Sequence, residues 1–210
     1  MNDSWLRYAV LLVAAGATGA FYYTQIRPQT VEAPGSPAAE VIAKVAAPAA
    51  TSQPKGDPKL FEPVAAVLRD PRCMNCHPRD DRPRQGDDRH IHLQNVTRGV
   101  DDLGFVNLRC NACHRDENNA YSGVPGAPNW HLAPLSMGWD GLDDSALCKT
   151  LVDRSKNGDK DIAALVEHMT SDKLVLWGWE PGGDRKPVAT PHAEFVNQLQ
   201  TWAAAGAPCP

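Results

Sequence analysis

Four of the six cysteines fall into two copies of one pattern, Cys73-Met74-Asn75-Cys76-His77 and Cys110-Asn111-Ala112-Cys113-His114. Two thiols three positions apart on one tight turn can add to two vinyl groups on neighbouring edges of a porphyrin. A histidine in the next position can then reach the iron. The pattern reads as a covalent attachment site for haem c, present twice. Cys73 and Cys76 would hold one haem with His77 on its iron, and Cys110 and Cys113 a second with His114. A four-cysteine zinc site is the competing chemistry, because Cys-x-x-Cys repeated after a spacer is also a zinc pattern. Zinc gives no reason for a histidine directly after each pair. With 7 histidines in 210 residues, chance alone would place one at both positions about one time in nine hundred. Two covalently bound haem c groups are therefore the expected cofactors.

An iron held by one histidine is either open, as in a catalyst or gas binder, or closed by a second side chain, as in an electron carrier. The candidates for closing it are His90, His92, His131, His168, His192, Met74, Met137 and Met169. His90 and His92 lie between the motifs, two residues apart, and share a face if the segment is extended. Of the two, His92 sits between Ile91 and Leu93 and is expected on the first iron. Met137 lies in the Pro-rich stretch APNWHLAPLSMGW, which looks like the ligand loop of class I cytochromes c, and is expected on the second. His131, His168, Met169 and His90 are the alternatives. His192, at a helix start, reads as a surface residue, and Met74 is badly placed for the far side of its own haem. Methionine ligation raises the potential relative to two imidazoles, so the second haem is expected to be the higher one.

These residues need a frame. The chain from 57 to 210 predicts several helices joined by long Gly- and Pro-containing loops. One starts at Asp57-Pro58, with Leu60, Phe61, Val64, Val67 and Leu68 at helical spacing, and Pro63 either kinks it or marks its true start. Others are expected in LDDSALCKTLVD, in DIAALVEHM, and from Thr190-Pro191 to Gly206. No run alternates as a strand should. The fold class is mainly α: a small dihaem cytochrome c domain with a few helices and irregular loops packed on two haems. Cys148 and Cys209 remain, and outside the cytoplasm they are expected to pair as a disulfide. Seven arginines between Arg69 and Arg98 read mostly as solvated surface, with one or two free to pair with haem propionates.

Upstream, residues 1–26 contain an apolar stretch from Trp5 to Tyr23 with aromatics at both ends, as in a membrane-spanning helix. A cleaved signal peptide is the alternative. Residues 27–56 are rich in Pro and Ala and read as a tether. Either way residues 57–210 would cross the membrane and stand in the periplasm. The formal net charge is −4 with no long basic run, which gives no reason to expect nucleic acid as a partner.

The segments HLQNVTRG, GVPGAPNWHLAPLSMGWDG, LVEHMTSDKLVLWGWEPGGDRKPV and FVNQLQTWAAAGAPCP, with the two motifs, resemble a family of bacterial dihaem cytochromes c. Some of its members carry the label isoquinoline 1-oxidoreductase subunit. The resemblance covers residues 70–210. It implies a small exported electron carrier whose partner is a redox protein such as a molybdenum hydroxylase, and no segment resembles a molybdopterin or flavin domain. The residues alone leave three functions: an electron relay, a dihaem peroxidase-like enzyme or sensor with one open iron, and a permanent haem subunit of a respiratory or photosynthetic complex.

Overall fold

The computed structural model describes residues 56–210. The anchor and tether expected over 1–26 and 27–56 lie outside the described residues, apart from Gly56. Among the described residues no helix is long and apolar enough to cross a membrane.

Helices dominate, with little sheet. The Asp57 carboxylate accepts from the Lys59 amide at 2.9 Å and starts a 3-10 turn, Pro58–Phe61. That turn runs into α1, Glu62–Leu68, with Pro63 in its first turn, where a missing N–H costs nothing. Pro63 thus marks the α-helix start. Asp70 and Pro71 repeat the device for α2, Pro71–Met74, which carries Cys73. Further on lie α3 (Asp144–Val152), α4 (Ile162–Ser171), α5 (Lys173–Leu176) and α6 (His192–Ala204). Asp143, Asp161 and Asp172 cap α3, α4 and α5 by accepting from an amide two or three residues on. The α5 turn was not legible as an element of its own, because four residues carry no period.

Two antiparallel pairs of two residues each also form: β1 (Arg84–Gln85) with β2 (His90–Ile91), and β3 (Gly104–Phe105) with β4 (Leu108–Arg109). Such short ladders leave no alternation to read.

The core belongs to the helices. Phe61, Val64 and Leu68 of the first two turns meet Leu147 and Leu151 of α3, Leu165 of α4, and Phe195, Leu199 and Trp202 of α6. Phe61 and Trp202 pack with ring centres 5.4 Å apart, joining the first helix of this region to the last. Each such side chain contributes about 1.5–3 kcal/mol on burial. Cys148 and Cys209 form a disulfide that ties the C-terminus to α3. Segment 80–135 adds little to this core. It is held instead by ion pairs and backbone hydrogen bonds, and it exposes Leu93, Val100, Phe105 and Val106.

Candidate functional site

Both cysteine-histidine motifs sit on tight turns. Cys73 and Met74 end α2, and the amides of Cys76 and His77 donate to the Cys73 and Met74 carbonyls. Cys110–Ala112 form a 3-10 turn, and the amides of Cys113 and His114 both donate to the Cys110 carbonyl. None of the four thiols enters a disulfide. Cys113 is exposed and the other three are half-buried. Burial pushes the Cys76 thiol up to about 11, with Cys110 close enough for its charge to add to the effect. Burial and then the Asp70 carboxylate raise Cys73 further.

The two histidines are held alike. His77 Nδ1–H donates to the Met137 carbonyl at 2.7 Å, and His114 Nδ1–H donates to the Pro125 carbonyl at 2.7 Å. A carbonyl can only accept, so the proton is on Nδ1 and the lone pair of each neutral ring is on Nε2. Burial favours the neutral form of both rings. It lowers His77 to about 3 and lowers His114 as well, against the opposing pull of the two carbonyls. A neutral imidazole oriented through its second nitrogen is the form that ligates a metal.

Each ring also stacks on a tryptophan. His77 lies on Trp139 with centres 3.4 Å apart and planes 11° apart, and His114 lies on Trp130 at 4.5 Å and 5°. A glycine follows each accepting carbonyl, and each is there for close approach. A Cβ on Gly138 would come within 2.8 Å of the Arg79 Cα and the Pro78 carbonyl, and one on Gly126 within 2.5 Å of the Arg115 carbonyl. The two sites therefore repeat one construction: turn, histidine, carbonyl, glycine, tryptophan.

His77 opens onto a cleft of about 260 Å³. Val67, Leu68, Cys73, Leu165, Phe195 and Trp179 give it an apolar lining, and His131, Met137, His168 and Met169 reach it as well. The carbonyl of Met137 orients His77, so the Met137 backbone sits on the Nδ1 side of that ring, away from Nε2. His168 Nδ1 meets the Asp172 carboxylate at 3.2 Å, through the oxygen that does not cap α5. Met169 is buried in the helical core. His131 Nδ1 donates to the Asn129 carbonyl.

The expected partners of the two motifs are exchanged. His92 was expected beside the first motif and lies beside His114, with ring centres 6.1 Å apart. Met137 was expected beside the second and lies beside His77. The reason is the path of the chain. The β1–β2 ladder turns residues 83–92 back, while 125–139 runs past His114 and then crosses to the first motif, where the Ala133 amide donates to the Cys76 carbonyl at 3.0 Å. His90 and His92 also part company. The His90 ring goes to Asp88 at 2.6 Å on the surface, and His92 is partly buried.

Comparison with known proteins adds no relative: no family model, no curated protein and no solved structure matches the chain.

Several residues that build the sites were not singled out in the sequence. Trp130 and Trp139 both stand in the stretch from which Met137 and His131 were taken, so a signal was present. Trp177 meets Trp130 edge-on at 4.9 Å and lines the cleft at His77, so aromatic rings run from His114 to that cleft. Its indole N–H donates to Asn118 at 2.9 Å, and Asn118 accepts from the Gly126 amide at 3.0 Å. No sequence pattern marks Asn118, Pro125 or Asp172 for these roles.

Proposed function

We propose that the chain is a membrane-anchored, periplasmic dihaem c-type cytochrome that relays electrons between redox partners and is not itself an enzyme. One observation carries the reading: both motif histidines give their Nδ1 proton to a backbone carbonyl and stack on a tryptophan, which leaves Nε2 free at each site. When bound, each haem supplies an iron that takes up and releases one electron without bond rearrangement.

The residues present fit two such groups. At the first site the cleft offers apolar walls for a porphyrin and two thiols at its edge. At the second, the partly exposed Leu103 and Leu108 stand next to Cys110, whose amide donates to the Leu103 carbonyl at 2.9 Å. Zinc gives no reason for a histidine directly after each cysteine pair.

The chain's own residues shape the relay. Trp130 and Trp177 stand between the His114 ring and the cleft at His77. The second site is the more exposed, with Cys113 at the surface, and is where a partner such as a molybdenum hydroxylase or a membrane respiratory or photosynthetic complex would exchange electrons. The reason for ranking the second haem above the first in potential is gone, because it rested on Met137 at that site.

Purification from membranes in mild detergent, with identification of co-eluting proteins and a redox titration, tests the reading. The expected result is two low-spin six-coordinate irons that a co-eluting redox protein reduces. A fast peroxidase turnover, which needs an open iron, would move the function from relay to enzyme.

A further inference from the structure

We propose that His92 would be the second protein ligand of the iron held at Cys110, Cys113 and His114, so that two imidazoles would close this iron. The inference rests on the haem reading above and adds to it the identity of one ligand.

The first argument is spacing. The His92 and His114 ring centres are 6.1 Å apart and their planes make an angle of 74°. A metal–imidazole nitrogen bond is about 2 Å and the ring centre lies roughly 1.1 Å behind that nitrogen, so two rings on opposite sides of one metal have centres about 6.2 Å apart. Ordinary edge-to-face packing covers a range that includes this distance, so spacing alone does not decide.

The second argument is the state of the His92 ring. It makes no hydrogen bond to any described residue, and its Nδ1 is buried without a partner. Seven other buried side-chain atoms of the described residues also lack a partner, so the open Nδ1 carries weight through its place beside His114, as the nitrogen that would ligate. His90, two residues away, has Asp88 as its partner.

The third argument is that the backbone around this unpartnered ring is fixed. The His92 amide donates to the Pro83 carbonyl at 3.0 Å, and the His92 carbonyl accepts from the Asn95 amide at 3.1 Å. The next amide, Leu93, donates to the Gln85 side chain at 3.3 Å. A main chain fixed on both sides of a ring that bonds nothing is the arrangement of a ligand held ready for its metal. His114 completes the geometry. Its Nδ1 is occupied by Pro125, so its free nitrogen is the one available to a metal.

The test uses the full chain carrying its cofactors. In His92→Ala, about half of the total haem should become high-spin by electron paramagnetic resonance, with the covalent haem content unchanged. Added imidazole should restore the low-spin signal in His92→Gly, a rescue that a purely structural role would not give. His92→Met should create a methionine-to-iron charge-transfer band and raise the potential of one haem only. The proposal is overturned if His92→Ala keeps two haems, both low-spin, at unchanged potentials. Should the variants not accumulate, near-infrared magnetic circular dichroism of the unaltered protein decides, and absence of a bis-histidine signature there also overturns it. A covalent haem content below two in the unaltered protein would count against the haem reading rather than against His92.

Discussion

Replacing Arg98 by alanine should cost about 3 kcal/mol of stability, although the sequence places this arginine in a stretch that reads as solvated surface. Its side chain is buried. It donates to Asp102 at 2.6 Å, to the Pro78 and Asp80 carbonyls at 3.2 Å each, and to the Ala133 carbonyl. It thus joins the chain just after the first motif to the loop that carries His92 and to the segment returning from the second. Removing one partner of a buried ion pair costs about 3–5 kcal/mol. Asp102 keeps a quarter of its side-chain exposure, so water recovers part of that cost and the lower end applies. The loss corresponds to a factor of roughly 150 in the folded-to-unfolded ratio and a fall of roughly 1 M in the guanidinium midpoint. The assay is equilibrium unfolding of the haem-loaded protein, followed by far-ultraviolet circular dichroism and haem absorbance. Arg98→Lys should fall between, because an ammonium keeps the charge and loses the fork that reaches four acceptors. A loss under about 1 kcal/mol in Arg98→Ala, or a lysine variant equal to the parent, would refute the reasoning.

Two further outcomes follow. His168→Ala should make the first iron high-spin, because His168 lines the cleft at His77 with its other ring nitrogen held by Asp172; the unaltered protein should then lack a methionine-to-iron band, and a band lost in Met169→Leu would assign that iron to Met169 instead. The Cys148–Cys209 bridge spans 61 positions, so Cys148→Ser with Cys209→Ser should lower stability by about 4 kcal/mol on the chain-entropy relation, measured by denaturant unfolding against the oxidised parent.

The helices were legible because their caps and periods are local. Asp57-Pro58, Asp143 and Asp161 stand where a helix must start, and the apolar faces of α3, α4 and α6 repeat at 3–4 residues. The cysteine pairing was legible because Cys148 and Cys209 are the two cysteines the motifs leave over. The matching of ligand loops to motifs was not. His92 is fifteen residues past His77 and twenty-two before His114 in the sequence, and nothing local says which motif the loop folds onto. The long-range bonds that hold these segments, Arg98 to Ala133 and the Ala133 amide to Cys76, join residues that look like ordinary loop. The carbonyls of Met137 and Pro125 were invisible for another reason: any residue can supply one. Their signature was indirect, in the glycine that follows each and the tryptophan one or four positions beyond that glycine.

Two covalent haems are tested most directly by a pyridine haemochrome assay on unfolded, purified protein. Thioether bonds survive denaturation, so the account predicts two haems per chain in the unaltered protein. Cys110→Ser should weaken attachment at the second motif alone, and Cys73→Ser at the first alone. One haem per chain, or none with zinc bound in its place, would contradict the account.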